Sequence, residues 1–273
     1  VFERFPNAIK QYDHHFKIGG YKTFLDGSPQ GRTAWMLAPY ENGEEGYVAY
    51  GTQTDEQILE KIETALKDDM QLLVHCNGDA ASAQYIRQYA KAKEQVENDK
   101  EIRPVIIHAQ LLAKDQLGEV KELHMIPSFF VAHVYHWGDV HIKNFGLERA
   151  KEISPANSAL KEDILFTFHQ DSPIIQPNML ETIWCACKRE TKNGILLGED
   201  ERISPYEALK AVTINAAYQY FEEEKKGSIK ENKVADLVIL DKNPLKIDID
   251  EIRNIKVVET FKEGTSIFKR NSK

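Results

Sequence analysis

Cysteine is scarce in this chain: Cys76, Cys185 and Cys187 are its only three among 273 residues. So few, and an odd number, cannot make a disulfide framework. Cys185-Ala186-Cys187 also lacks the two-residue gap of a redox or zinc pair. Reduced structural thiols and a cytoplasmic location are expected. Positive charge is short as well. Lys and Arg total 35 against 43 Asp and Glu, a formal net charge of -8. No basic face with interleaved aromatics stands out, which argues against nucleic acid as a partner. The mixed run at 222–226 reads as a solvated helix end. No apolar run approaches the ~18 residues of a membrane span, so no membrane partner is expected. There is no basic-then-apolar leader, no internal repeat and no low-complexity segment. The chain opens Val1-Phe2-Glu3-Arg4 without methionine, from which we expect that this is not a natural start.

What is present is an alternation of short apolar runs and helical patterns. Three runs close on metal-binding residue types: Gln71-Leu72-Leu73-Val74-His75, Pro104-Val105-Ile106-Ile107-His108, and 164–171, which ends His169-Gln170-Asp171. A fourth, 18–27, carries Lys22 inside an apolar stretch. Such runs, separated by helices, read as parallel barrel strands, whose chemistry sits at their carboxyl ends. Helical spacing predicts helices near 53–68, 80–95, 113–123, 157–162, 178–190 and 204–222, and a strand over 125–134. Ser204-Pro205-Tyr206-Glu207 reads as a capping box opening the last of these helices. Beyond about 226 the character changes to short β runs at 227–229, 235–240 and 257–261, with turns at Asn243-Pro244 and Glu263-Gly264. Two units follow: 1–222, an α/β barrel portion, and 223–273, part of a small β-domain.

A histidine at one strand end carries little information. The combination carries more: two strands ending in His, a later one ending in Asp, and a lysine before them. Imidazole and carboxylate suit zinc, iron or manganese. A divalent ion with an open position acidifies water, and Asp171 is the carboxylate placed to move its proton. Lys22 has two readings. It is a lysine extending its stem from a strand end, or an amine depressed by apolar neighbours that reacts with carbon dioxide to give an anionic carbamate.

The motifs then resemble a known family. Tyr21-Lys22-Thr23-Phe24-Leu25-Asp26-Gly27-Ser28 with Arg32-Thr33-Ala34 is similar to a fourth-strand segment of the YtcJ-like metal-dependent hydrolases of the amidohydrolase superfamily. Val74-His75-Cys76-Asn77-Gly78-Asp79-Ala80 resembles the fifth strand, Ile107-His108-Ala109 the sixth and His169-Gln170-Asp171-Ser172-Pro173 the eighth. The segment 211–217, then Gly227-Ser228-Ile229 and 233–238, resemble the closing helix and the return to the small β-domain. The resemblance implies strands 4–8 of a (β/α)8 TIM barrel plus the last strands of a β-sandwich domain. It implies hydrolysis of amide or cyclic amide C–N bonds in small molecules. His75, His108, carbamylated Lys22 and Asp171 would hold one or two divalent ions, zinc foremost. Asp26 and Arg32, on a loop over the site, would hold substrate or pair with each other. His133, His136 and His169 would line the pocket, with Trp137 as an apolar wall.

One departure matters. The family's His-x-His pair of the first strand has no counterpart, and the adjacent His14-His15 cannot replace it because neighbouring strand residues face opposite ways. The expected partner is therefore a missing N-terminal half, or a second copy covering open sheet edges, and the chain alone should be weakly active. A metal-free binding or assembly module is the competing reading. Phosphate-ester hydrolysis with the same ligands is a third.

Overall fold

The computed structural model describes residues 1–97 and 100–271. Five parallel strands form one sheet in sequential order: β1 (Gly20–Phe24), β2 (Gln71–Cys76), β3 (Val105–His108), β4 (Ile126–Phe129) and β5 (Thr167–Phe168). Helices lie between these strands and after the last of them. These are α1 (Asp55–Lys67), α2 (Asp79–Gln95), α3 (Leu117–Glu122), α4 (His133–Ala150), α5 (Ala156–Lys161), α6 (Met179–Lys188), α7 (Pro205–Ala211) and α8 (Ile214–Gln219). A second sheet of three antiparallel strands, β6 (Leu237–Leu240), β7 (Val257–Lys262) and β8 (Thr265–Lys269), follows.

The register explains which side chains are sealed. Val74, Cys76, Ile106 and Phe129 are fully buried in the main core cluster, together with Ile58, Ile62, Tyr85 and Ile86 of α1 and α2. The alternate residues form a row across the sheet: Phe24 beside His75, His75 beside Ile107, Ile107 beside Ser128. Side chains alternate with period two, so this row and Lys22, two residues before Phe24, share the other face. That face is open at β1, where Lys22 is exposed and Phe24 is 58% exposed.

Several expected elements differ in detail. The run 125–134 is a strand only to Phe129. From His133 the chain is helical to Ala150, broken at Gly146, whose φ is 74°. A short apolar run does not by itself distinguish strand from buried helix. The expected helix 113–123 begins as a 3-10 turn at Lys114–Gln116 before α3. The helix 204–222 is two, α7 and α8, separated where Thr213 leaves helical geometry at φ -127°, ψ -92°. Ser204 caps α7 by accepting from the Glu207 amide (3.2 Å), but Glu207 completes no box: its carboxylate pairs with Lys210 at 2.8 Å. A full capping box stands at Thr54 and Gln57, opening α1. Residues 227–229 are not a strand, β5 is shorter than expected, and β8 was not foreseen.

Candidate metal centre

The residues singled out at the strand ends meet at the carboxyl end of the five-stranded sheet. His75 Nδ1 lies 3.0 Å from His108 Nε2, and His108 Nδ1 lies 3.1 Å from His169 Nε2. His169 Nδ1 is 3.0 Å from the Ser128 hydroxyl. Lys22 and Asp171 belong to the same neighbourhood. The Lys22 charge acts on His108 and His169, and the Asp171 carboxylate acts on Lys22.

Register alone would not bring His108 here. It pairs with Cys76, whose side chain is buried on the opposite face from His75. The backbone makes the difference. His108 has φ 74° and Ala109 φ 45°, so β3 ends in the left-handed region and the imidazole swings back toward His75. Asp171 is also left-handed, at φ 48°. Each such non-glycine residue costs roughly 1–2 kcal/mol, a strain concentrated where the chemistry is expected. Gln170, just before Asp171, braces its loop by accepting from the Asn178 amide (2.5 Å) and donating to the Asn178 carbonyl (2.7 Å) at the start of α6.

The far side of His75 is equally determined. Nε2 faces the Gly27 carbonyl at 3.0 Å and an Asp26 carboxylate oxygen at 3.4 Å. Two acceptors call for an N–H at Nε2, leaving the Nδ1 lone pair toward His108. The Asn77 side-chain amide, 3.0 Å from Nε2, would favour the opposite tautomer, but it has a better acceptor in the same Gly27 carbonyl at 2.8 Å. Asp26 itself is 3% exposed and accepts from three backbone amides: Trp35 at 3.0 Å, Asn77 at 2.9 Å and Gly78 at 2.7 Å. This carboxylate anchors the loop after β1 to the start of α2. It neither pairs with Arg32 nor stands free. Arg32 is exposed and its guanidinium donates to the Asn42 carbonyl.

His133 and His136 are not at a strand end, as expected from sequence, but in the first turn of α4. His133 is buried, with Nδ1 3.1 Å from His141 Nε2 and its ring 4.5 Å from that of Trp137. His136 Nε2 meets Glu181 Oε1 of α6 at 2.9 Å. Burial disfavours the charged form of four imidazoles, His108, His133, His141 and His169. It lowers His108 and His133 strongly and brings His169 and His141 down to about 3, with neighbouring charges adding for all but His141. Desolvation also lowers the Lys22 amine, with Asp171 opposing it, although the flank of the residue is open. Ser128, His141 and Glu181 were missed from sequence. Ser128 becomes visible only through the row it shares with His75, and His141 only once α4 is a helix.

Two imidazole nitrogens 3.0 Å apart fit a shared cation. Ligands ~2.0–2.1 Å from a tetrahedral zinc stand about 3.3–3.4 Å apart, a few tenths of an ångström more than this contact. The donor set stops there: among the described residues no group of three His, Cys, Asp or Glu is arranged to hold a metal ion.

The model of the Amidohydrolase family matches residues 1–268. Among curated proteins, Protein LONG AFTER FAR-RED 3 of Arabidopsis thaliana is 32% identical over 83% of this chain and 39% of its own length. The N-substituted formamide deformylase of Arthrobacter pascens is 25% identical over 92% of this chain and 46% of its own. Among solved structures, an uncharacterized metal-dependent hydrolase from Pyrococcus furiosus superposes with a TM-score of 0.76 at 28% identity, covering 90% of this chain and 48% of that one. The chain thus spans about half the length, or less, of these relatives.

Proposed function

The chain belongs to the amidohydrolase family, and from that premise we propose that it forms the greater part of a metal-dependent hydrolase centre acting on C–N bonds of small molecules. The observation that carries this reading is the 3.0 Å approach of His75 Nδ1 to His108 Nε2, with the outer nitrogen of each ring already engaged. The Arthrobacter relative acts, by its name, on N-substituted formamides, which supports the C–N class.

In this reading His75 and His108 hold a divalent cation, zinc foremost, with Lys22 and Asp171 beside it. Such a cation supplies Lewis acidity and makes water acidic near neutral pH. Asp171 then takes the proton from water and returns it to the departing amine. The depressed Lys22 amine attacks carbon dioxide, forming an N–C bond and releasing one proton, and the carbamate adds the anionic donor the set lacks. Phe24, on the Lys22 face, and Trp137 border the apolar part of the pocket. His136 with Glu181, and Arg32, contact polar parts of the substrate, while Asp26 acts through His75.

The five strands in sequential order support an arc corresponding to strands 4–8 of a TIM barrel, spanning 1–222, with 223–273 contributing strands to a small β-sandwich. The arc leaves β1 and β5 with one strand neighbour each among the described residues. A missing N-terminal half, or failing that a second copy, covers these edges, and hydrolysis by the chain alone falls well below the enzyme median of about 10 per second. Three buried free thiols fit a cytoplasmic setting. A second reading is a metal-free assembly module. It is favoured by the absence, among the described residues, of a three-donor group.

Metal analysis of the purified chain, with turnover of a panel of N-substituted formamides and other small amides, tests the proposal. Stoichiometric zinc lost in both His75→Ala and His108→Ala is expected. Zinc retained by the double variant would sink it, and neither zinc nor turnover would favour the second reading.

A further inference from the structure

Two pairs of side chains span the gap between α4 and α6. His136 Nε2 meets Glu181 Oε1 at 2.9 Å, and the Tyr135 ring meets that of Trp184 edge-on, with centres 5.1 Å apart at 81°. Tyr135 and His136 are neighbours in α4, and their rings are also edge-on, at 5.2 Å and 81°. Glu181 and Trp184 are three residues apart in α6, a spacing that puts them on one face. The aromatic pair therefore stands directly beside the polar pair and sets the same helix spacing. On its other side His136 lies 5.5 Å from Trp137, Trp137 lies 5.9 Å from Phe130, and Phe130 lies 5.4 Å from His169. Ring contacts thus run without a break from Trp184 to the candidate centre.

The outer end of this stack meets a part of the chain far away in sequence. Between β6 and β7 the backbone makes a 3-10 segment, Ile249–Asn254. It is seated on α6. Ile252 is fully buried in the main core cluster, and Asp250 pairs with Lys188 of α6 at 2.7 Å. That seat puts the Arg253 guanidinium 4.2 Å from the Trp184 ring centre and 5.9 Å from that of Tyr135. Trp184 is 2% exposed, whereas Arg253 is exposed. A planar cation is attracted to an aromatic face and stacks on it. Arg253 therefore covers both rings that hold α4 and α6 together. A hydrogen bond of this kind needs its heavy atoms about 2.7–3.2 Å apart, so His136 keeps Glu181 only while that spacing holds.

We propose that Arg253 is a positioning residue for the His136–Glu181 pair, acting through Trp184 and Tyr135, so that residues of the 223–273 unit shape the site. This role rests on the reading of that pair as a contact for polar parts of the substrate. Arg253 touches neither His136 nor the centre. It fixes the helix spacing at which the imidazole and the carboxylate meet.

The test is proton–carbon NMR of the full chain labelled at histidine, with N-methylacetamide as the probe at millimolar concentration. His136→Gln assigns the His136 ring signals, and Glu181→Ala, which removes the pair, sets the scale of its loss. His124, exposed before β4 and outside the stack, is the internal control. In the unmodified chain the amide should shift the His136 signals. Arg253→Met keeps a long stem without the cation. It should move the His136 signals toward those of Glu181→Ala before any amide is added, and weaken amide binding about two- to fivefold, the share of an exposed cation–π contact. Arg253→Lys, which keeps a cation over Trp184, should recover most of both effects, and His124 should stay in place throughout. Unmoved His136 signals in Arg253→Met, an equal movement of His124, or no recovery in Arg253→Lys overturns the role of Arg253 and spares the substrate reading of the pair. An amide that leaves His136 unmoved in the unmodified chain overturns that reading, and the role of Arg253 with it.

Discussion

Replacing Asp26 with alanine isolates the group on which the geometry of this site depends. Its carboxylate is 3% exposed and accepts from the amides of Trp35, Asn77 and Gly78 at 3.0, 2.9 and 2.7 Å. Hydrogen bonds to a charged acceptor contribute roughly 1.5–3 kcal/mol each, and an amide left buried without a partner costs about 1–3 kcal/mol. The three share one carboxylate and do not add fully, so Asp26→Ala should lose about 3–5 kcal/mol. For a chain of this size that is a fall in Tm of roughly 10 °C. Asp26→Asn keeps one acceptor oxygen and should lose about half as much. Urea unfolding followed by tryptophan fluorescence measures both. The same change removes a carboxylate 3.4 Å from His75 Nε2, so zinc affinity should drop about tenfold. A stability loss under about 1 kcal/mol for Asp26→Ala would refute the view that this carboxylate welds the β1 loop to α2.

Acid should destabilise the fold in a defined window. Burial lowers His108 and His133 and holds His141 and His169 at about 3, against about 6.5 in an unfolded chain. Above pH 6.5 these groups are neutral in both states. Below it only the unfolded chain gains protons, so stability falls from about pH 6.5 toward pH 3, by roughly 1.4 kcal/mol per pH unit for each histidine. Urea unfolding at several pH values should show His141→Phe flattening this slope by one histidine's share, and an unchanged slope would contradict the burial argument. Arg103 is stacked 3.6 Å from the Tyr218 ring centre and 4.2 Å from that of Phe221, and is paired with Glu223 at 2.9 Å. Arg103→Lys keeps the charge but loses the planar stack, and should cost about 1–3 kcal/mol by the same assay. In Gly78→Ala the new Cβ would fall 1.8 Å from the Trp35 carbonyl oxygen, although φ at -84° suits any residue. The expected loss is about 2–3 kcal/mol, and a neutral alanine would mean that the β1 loop is free to move.

The errors of the sequence reading have specific physical origins. Residues 129–132 are apolar without a period, and such a run does not distinguish the end of a strand from the buried start of a helix. Taking it as strand placed His133 and His136 at a strand end and hid His141, which meets His133 only across turns of α4. Asp26 looked like a residue free to meet substrate because spacing says nothing of backbone amides folding over a carboxylate. Glu207 fitted a capping box by pattern, yet Lys210 competes for it.

Composition and the alternation of apolar runs with helical spacing were enough, before any coordinates, to point to parallel strands with connecting helices, and to the apolar runs that lead into His75, His108 and Asp171. Those signals are local, set by periods of two and 3.6 residues. Which face each side chain takes is not local. His108 would point away with Cys76 if β3 ran on regularly, and only its left-handed turn, at φ 74°, aims it at His75. Register across strands then adds Ser128 and His169 to the line, with His75 set against the Gly27 carbonyl at its far end. A backbone torsion and the pairing of distant segments decide what meets at the site, because hydrogen bonds there join residues separated by 33 to 61 positions.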